Sequence, residues 1–376
     1  MTDAAAERKL PISFVRVNTQ FENAGDCLIN RELLRILAER SIVVLDVNGC
    51  PPAFARQVTE GIPSERLRKP KAGLTLDALV ARARGQICYR FLMPGGISGS
   101  GSGSTKFRAW ARDLPLAFAA LAGVRTCQVG ASFSDLSGTL LDTWRRRSRW
   151  LYRLSPRDSM SARHLQSLGI RSDMCIPDLA FNVFPDEDAH FEPTEGVSTG
   201  LLGLSFRTDQ YPDQVQDVTR AALSACRFAG PGVEWSVFAQ VGRDLRGMES
   251  IRDALLEQGG VTVAPVIDLH ANVEACLACY RRLSAVVSNR LHVLLMAASQ
   301  GARVLAVTQG PARSKLEGVL RDLGLADAIY HPGMLDGPGT ARKIGVTISG
   351  AGMRRKLLQA MDDLVGRPMS LRSESE

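Results

Sequence analysis

Two apolar patterns alternate along the chain, and their alternation restricts the folds open to it. Short runs rich in Val, Ile and Leu have the length and composition of buried parallel strands. Between these runs, apolar residues recur at the spacing of one helical face. The alternation predicts α/β layers in which helices connect parallel strands. A chain of 376 residues is too long for one ordinary core, so two domains are expected.

The predicted strands fall into two groups. They are expected at residues 12–17, 42–45, 87–92, 124–129 and 150–154, and then at 201–206, 235–240, 261–266, 283–287 and 304–307. Between the groups, residues 184–198 are acidic, contain two prolines and lack periodicity, which indicates a linker. We predict Rossmann-like domains over residues 1–183 and 199–350. Residues 351–376 should form a helix that packs back onto the first domain, followed by a disordered tail.

Composition narrows the class of protein. Hydrophobic residues make up 45% of the chain and charged residues 23%, as in soluble globular proteins. No apolar stretch reaches membrane-spanning length and residues 1–9 lack a signal-peptide pattern, so we expect a cytoplasmic protein. The eight cysteines lie mostly in apolar runs, which favours reduced core thiols over disulfides. Cys276 and Cys279 form a lone C-x-x-C pair, for which two packed thiols are favoured over a zinc site.

The net charge of +7 favours acidic partners. The densest cluster of basic residues in the chain spans residues 144–150. Anionic glycans fit this cluster, as do anionic lipid headgroups in a peripheral contact at the inner face of a membrane. A solvated helix end explains the cluster slightly better than either. No nucleic-acid-binding motif accompanies it, so nucleic acid is not expected as a partner.

One strand-to-helix turn has the features of an anion site. A β-branched run at residues 283–287 is followed by an apolar helical stripe from residue 291, and between them stands Ser288-Asn289-Arg290-Leu291-His292. The free N–H groups and positive dipole end of such a helix favour anions. A guanidinium and a proton-transferring imidazole beside them indicate an acidic, phosphorylated substrate. The alternative is an exposed arginine beside a histidine that caps or packs.

Two further motifs occur in the same structural context. Asn23-Ala24-Gly25-Asp26 begins a helix after the first strand, and Arg157-Asp158 stands between another strand and helix. With Pro177-Asp178, the Arg290-Leu291-His292 turn and Lys315, this order resembles the polysaccharide pyruvyl transferase family over residues 18–318. The resemblance implies two doubly wound Rossmann-like domains that face a central cleft, a GT-B-like arrangement, and it agrees with the alternation of strands and helices.

The resemblance also implies a function. The expected enzyme is a transferase of polysaccharide biosynthesis that uses phosphoenolpyruvate as donor, with no metal or organic cofactor. Its acceptor would be a sugar diol of an exopolysaccharide, another glycan or a lipid-linked oligosaccharide, and its product a ketal. The implied catalytic residues are His292 and Asp26. The implied donor-binding residues are Arg157, Arg290, Lys315 and Ser288, and those lining the acceptor side of the cleft are Asn23, Gly25, Gly95 and Gly96.

Other segments have plainer interpretations. Asp158 is expected mainly to cap the helix after it, and the Ser-Gly repeat at residues 97–105 to form a mobile flap. That repeat lacks the Walker spacing, so an ATPase is not expected. Asp186-Glu187-Asp188 resembles a metal-binding D-x-D, but its place in the acidic linker favours solvated charge.

Two other functions remain open from the sequence. A GT-B-type glycosyltransferase would use a nucleotide-sugar donor, since fold does not fix function. Such an enzyme would need an acidic side chain in the second domain to bind the ribose of the nucleotide. Only Asp268 and Glu274 are candidates for this role. An inactive, glycan-binding or membrane-binding scaffold is the non-enzymatic alternative.

Overall fold

The strands of the chain form two parallel seven-stranded sheets, one in each half. A computed structural model describes residues 10–101, 106–187, 201–208, 212–229, 232–258, 261–270, 272–308, 315–330 and 345–367. Helices connect the strands in both halves. The prediction of two α/β units with parallel sheets is therefore confirmed.

The first sheet has the strand order β3-β2-β1-β4-β6-β5, with β7 paired to β6. Its strands are β1 (Ile12–Arg16), β2 (Ile42–Asp46), β3 (Leu67–Arg68), β4 (Cys88–Leu92), β5 (Gly95–Gly99), β6 (Arg125–Leu136) and β7 (Arg153–Pro156). The helices of this half are α1 (Ala24–Arg40), α2 (Pro52–Thr59), α3 (Leu74–Ala83), α4 (Lys106–Leu121), α5 (Gly138–Arg147) and α6 (Ser159–Ser167).

The second sheet has the order β10-β9-β8-β12-β13-β14, with β11 paired to β9. Its strands are β8 (Leu202–Ser205), β9 (Glu234–Ala239), β10 (Thr262–Val263), β11 (Ile267–Asp268), β12 (Ala285–Ser288), β13 (Arg303–Val307) and β14 (Ile329–Tyr330). Its helices are α7 (Pro212–Ala229), α8 (Leu245–Gln258), α9 (Val273–Tyr280), α10 (Leu291–Ser299) and α11 (Lys315–Asp322). A last helix, α12 (Ala351–Val365), follows.

Alternate residues of β1 face two different cores, as expected for a strand covered on both sides. Ile12 and Phe14 pack with residues of α3 and α4 on one face of the sheet. Val15 packs with α1 on the other face. The first sheet is therefore doubly wound, with α3 and α4 on the side opposite α1.

The sequence prediction and the structure differ in the short strands β3 and β14, which were not predicted, and in the bounds of β6 and β7. Two further segments differ in kind. The single strand predicted at residues 261–266 is shortened to β10, and a second short strand, β11, follows it; both pair with β9. The prediction of a mobile flap is wrong for residues 97–99, because these residues belong to β5 and pair in parallel with β6. The reason is that β6 continues past residue 129 and offers backbone partners to Gly95–Gly99. Residues 102–105 lie outside the described part of the chain.

The two halves share one continuous hydrophobic core. It includes residues of α1 from the first half, α10 and α11 from the second, and α12. Arg40 of α1 is buried, and its Nη2 lies 2.8 Å from Asp362 Oδ1 of α12. The prediction that the last helix packs back onto the first half is thus confirmed. Phe184, at the start of the predicted linker, is buried. The remainder of that linker from residue 188, and the predicted tail from residue 370, lie outside the described residues.

Candidate active site between the two halves

The N-terminal ends of α1 and α10 meet where the halves join. Asn23 caps α1, because its Oδ1 accepts a hydrogen bond from the Gly25 N–H at 2.9 Å. Gly25 then faces His292 in the first turn of α10. A Cβ placed on Gly25 would lie 2.6 Å from His292 Nδ1 and 2.7 Å from His292 Cβ. Only glycine lets the two helices approach this closely, which explains why the Asn-x-Gly motif occurs here.

Backbone hydrogen bonds fix this junction. The Ala24 N–H donates to the Gln240 carbonyl, and the Gly242 N–H donates to the Glu22 carbonyl. Asn23 and Val241 pair as an isolated antiparallel bridge. The segment before α1 is thereby joined to the segment after β9, so the end of α1 is held against the second half.

His292 lies beside a buried ion pair contributed by the first half. Its Nε2 is 3.5 Å from Arg157 Nη1 and 3.6 Å from Asp178 Oδ2. Arg157 Nη1 donates to Asp178 Oδ2 at 2.6 Å, and both side chains are almost fully buried. Burial by itself would raise the pKa of Asp178, but the charges of Arg157 and His292 outweigh it and hold that pKa well below its usual range. Asp178 is therefore an anion that holds the Arg157 guanidinium and lies beside the His292 imidazole.

Asp158 and Ser132 hold Arg157 from the other side. Arg157 Nε donates to Ser132 Oγ at 2.6 Å, and the Ser132 hydroxyl donates to Asp158 Oδ2 at 2.6 Å. Asp158 also accepts from the Ser161 N–H at 2.7 Å as the N-cap of α6. The structural role predicted for Asp158 is confirmed. This chain of hydrogen bonds fixes the guanidinium of Arg157 next to His292.

Helix α11 of the second half covers this cluster. A Cβ on Gly318 would lie 2.6 Å from Asp158 Oδ1, so the helix packs directly on the capping carboxylate. The N–H of Ser159 donates to Asp322 Oδ2 at 2.6 Å. Lys315 is the first residue of α11, and its side chain lies outside the described part of the structure.

Arg290 occupies the opposite flank of the α10 turn. Its Nη2 forms an ion pair with Asp244, a buried residue between β9 and α8. Its N–H donates to Ser288 Oγ at 3.0 Å, and the Ser288 hydroxyl donates to the Ser205 carbonyl. Ser288 is fully buried. The structure therefore places Ser288 beneath the turn, where it supports Arg290, and not at the surface of the cleft.

The other predicted site residues lie around this centre. Asp26 is in the first turn of α1, where its Oδ2 accepts from the Thr19 hydroxyl at 2.7 Å. Gly95 and Gly96 begin β5, and Gly96 is opposite Ser132 in the register of the sheet. Because Ser132 contacts Arg157, Gly96 lies close to the ion pair. Asn23 and Gly25 are in contact with the second half, as described above.

Comparison with known proteins identifies the family. A family model described as polysaccharide pyruvyl transferase matches residues 23–311, most of the chain. The chain belongs to the polysaccharide pyruvyl transferase family. The match contains every motif that meets at the junction, from Asn23 to His292. No curated protein sequence matches the chain.

Solved structures agree with the pyruvyl transferase assignment at the level of fold. The structure of Anabaena Alr3699/HepE in complex with UDP is similar with a TM-score of 0.52 and 14% identity, over 97% of this chain and 98% of that one. A glycosyltransferase from Rickettsia africae ESF-5 gives a TM-score of 0.51 and 10% identity, over 97% of each chain. At such identities the likeness shows the fold alone, and this pyruvyl transferase family member has a two-domain, Rossmann-like GT-B fold.

Three residues of the junction were not assigned a role from the sequence. Asp178 stands in the Pro177-Asp178 motif, which carried the resemblance to pyruvyl transferases, and that motif was the available signal. Ser132 lies within β6 and Asp244 lies between β9 and α8, and neither stands in a distinctive sequence pattern. Their roles depend on which arginine each side chain meets, and this is a tertiary property.

Several segments outside the junction have structural roles. Trp144 is buried against Phe133, with ring centroids 4.9 Å apart, and Arg146 and Arg147 pair with Asp113. The basic cluster at residues 144–150 is therefore largely a packed helix end. Asp186, in the segment that resembles a D-x-D, is exposed and pairs with Arg354.

The structure also bears on cysteines, metals and membranes. All eight cysteines are free thiols, as predicted. Within the described residues, no three His, Cys, Asp or Glu side chains are grouped so that they could hold a metal ion. No helix in the same residues is both long and apolar enough to span a bilayer.

Proposed function

We propose that this protein transfers pyruvate from phosphoenolpyruvate to two hydroxyl groups of a sugar, forming a ketal and releasing phosphate. The acceptor would be a residue of an exopolysaccharide, another glycan or a lipid-linked oligosaccharide. Family membership supports this reaction. The observation that carries it is the position of His292, which stands at the start of α10 with Arg157 and Asp178 within 3.6 Å of its Nε2.

The reaction requires proton transfers on both substrates. Protonation of the methylene carbon of phosphoenolpyruvate makes the neighbouring carbon electrophilic, and the first sugar hydroxyl attacks it. Phosphate then leaves, and the second hydroxyl closes the ketal. The sugar loses two hydroxyl protons in the reaction. One replaces the proton that was given to the methylene carbon, and the other leaves with phosphate. An imidazole at the reacting carbon can give the first proton and accept one from a hydroxyl.

The junction offers groups suited to a donor with a carboxylate and a phosphate. The first N–H groups of α10 lack partners within the helix, and the dipole of α10 favours an anion there. The dipole of α1 adds to this field, although the N–H groups of Ala24 and Gly25 already donate to Gln240 and Asn23. Arg157 and Arg290 add positive charge on either side of His292. Their buried partners Asp178 and Asp244 hold the guanidinium groups in place before substrate arrives, so little reorganisation is needed. Lys315, at the start of α11, is proposed as a further donor contact.

The acceptor side of the proposal involves the first half. Asp26 lies in the first turn of α1, so its carboxylate stands at the helix end that meets α10. We propose that it orients or deprotonates a sugar hydroxyl, while Asn23, Gly25, Gly95 and Gly96 line the path of the acceptor. The scheme needs no metal or organic cofactor. A cytoplasmic location at the inner face of a membrane, where a lipid-linked acceptor would be presented, is part of the proposal.

Calorimetry with phosphoenolpyruvate and with UDP, each added to the wild type, Arg290→Met and Arg252→Met, tests the donor. Arg252 is a surface arginine of α8 and serves as the matched control. Phosphoenolpyruvate should bind the wild type and the control, and should bind Arg290→Met about tenfold or more weakly, because a charge-assisted hydrogen bond is lost. Binding of UDP without binding of phosphoenolpyruvate would contradict the proposal and favour a nucleotide-sugar glycosyltransferase.

Turnover provides the second test. Release of phosphate from phosphoenolpyruvate in the presence of a sugar acceptor should fall by about a hundredfold or more in His292→Asn, since general acid–base catalysis contributes that much. His164→Asn changes a histidine of α6 whose ring accepts a hydrogen bond from the Leu136 N–H, and it should keep its activity. An active His292→Asn variant would show that another group moves the proton.

A further inference from the structure

Helix α4 presents an apolar face to solvent. Among its described side chains, those that are exposed are all apolar: Trp110, Ala111, Pro115, Phe118 and Leu121. The exposed fractions are 48% for Trp110, 61% for Phe118 and 74% for Leu121. A helix on the surface of a soluble domain normally carries polar or charged residues on this face. Contiguous exposed apolar surface of this kind marks an interaction site.

Helix α3 extends the apolar surface. It packs beside α4 on the same side of the first sheet, and it exposes Leu76 and Val80. This side is opposite α1, so the apolar surface faces away from the junction with the second half.

The net positive charge of the protein falls in the part of the chain that contains α3 and α4. Residues 74–150, which run from α3 through α5, contain eleven Lys and Arg but four Asp and Glu, an excess of seven. The whole chain has 46 Lys and Arg and 39 Asp and Glu, which is also an excess of seven positive charges. The rest of the chain is therefore electrically balanced. Arg146 and Arg147 of α5 lie beside α4 through Asp113, and Arg82 of α3 lies beside Gly123, just past the end of α4.

We infer that the outer face of α3 and α4 docks on an anionic lipid bilayer. Trp, Phe and Leu side chains inserted at the headgroup level and arginines around them are the combination that holds peripheral helices on such membranes. A second copy of this chain fits the surface poorly, because two regions with an excess of seven positive charges would repel each other. The inference goes beyond the proposed reaction and does not depend on its donor.

Vesicle flotation tests the docking surface with the full chain. The probes are vesicles of phosphatidylcholine alone and of phosphatidylcholine mixed with phosphatidylglycerol. The wild type should float with the anionic vesicles only, and less at high salt. Phe118→Ser combined with Leu121→Ser should weaken binding about tenfold or more, since two inserted side chains are lost. Leu256→Ser removes an exposed leucine from α8 of the second half and should bind like the wild type.

Two controls keep the test decisive. The tryptophan emission of the wild type should shift to shorter wavelength on anionic vesicles, and most of the shift should be absent in Trp110→Phe, which keeps an apolar ring. Thermal unfolding should be unchanged in each variant, because the substituted side chains are exposed.

The inference is overturned if the wild type does not bind anionic vesicles, or if the double variant floats as well as the wild type. It is also overturned if the wild type is a dimer that the double variant dissociates, which would assign the face to a second copy. Binding of phosphoenolpyruvate is measured separately and affects none of these outcomes.

Discussion

Gly25 and His292 belong to different halves of the chain, yet they lie so close that a Cβ on residue 25 would come within 2.6 Å of the His292 ring. The contact joins the N-terminal ends of α1 and α10, and it places the imidazole beside Arg157 and Asp178. The absence of a side chain at residue 25 is thus part of the geometry of the candidate active site, because any larger residue would move either His292 or α1.

Gly25→Ala should lower the rate of phosphate release by about a hundredfold, since a displacement of about 1 Å at a reacting group costs that much. The matched control is Gly352→Ala in α12, where the nearest atom to the new Cβ is 3.9 Å away. Alanine favours a helix over glycine by about 0.5–1 kcal/mol, so the control should be active and slightly more stable. Steady-state kinetics and urea unfolding of both variants measure this, and full activity in Gly25→Ala would show that His292 is not positioned through this contact.

Asp178→Asn should destabilise the protein by about 3–5 kcal/mol at neutral pH, because it leaves the buried charge of Arg157 without its carboxylate. The folded pKa of Asp178 lies below the ordinary value of 3.8. Its contribution to stability is therefore present above pH 3.8 and is lost as the pH falls below that value toward the folded pKa. The difference in unfolding free energy between the wild type and Asp178→Asn should narrow over that acidic range.

Urea unfolding at a series of pH values measures that difference. Asp253→Asn is the control, since Asp253 pairs with Arg252 at the surface and is 66% exposed. It should change the unfolding free energy by less than about 1 kcal/mol at neutral pH. A difference for Asp178→Asn that stays constant down to the lowest pH would contradict the assignment of Asp178 as the buried partner of Arg157.

Asp362→Asn should weaken the attachment of α12 to the first half. Arg40 is buried, and Asp362 lies 2.8 Å from its Nη2, so removing the carboxylate charge should cost about 1–3 kcal/mol. Asp363→Asn alters the exposed neighbour, which accepts a hydrogen bond from Gln359 on the same helix. It should be nearly neutral. Equal effects of the two substitutions in urea unfolding would argue that α12 is held by apolar packing alone.

Thiol reactivity should separate the cysteines by burial. Burial raises the pKa of Cys27, Cys226 and Cys276 to about 12, and Cys88 and Cys127 are also buried. Because the thiolate is the reactive form, a disulfide reagent at mildly alkaline pH should react with at most three cysteines of the native protein, Cys50, Cys175 and Cys279. All eight should react after unfolding in denaturant without a reductant, since all are free thiols. Fewer than eight under those conditions would indicate a disulfide.

Local sequence patterns predicted the long helices well. The helices at residues 74–83 and 106–121 end where the patterns end, because caps and apolar periodicity act within a few residues of each other. Short elements such as β3 and β14 contain two residues each, too few to show a period. Segment β5 was missed because its glycines and serines favour loops, and it becomes a strand only because β6 lies beside it.

The sequence by itself determined that the chain is an α/β protein of two halves, and that Asn23, Arg157 and Arg290 each stand at a strand-to-helix turn. These features follow from periodicity and capping, which are local. Only the tertiary structure decided that Arg157 pairs with Asp178, that Arg290 pairs with Asp244, and that Gly25 admits His292. It also left the apolar face of α4 exposed, where an apolar helix would be expected to be buried. The physical reason is that a buried charge or a close helix contact depends on groups distant in the chain, and no local pattern specifies which of them will meet.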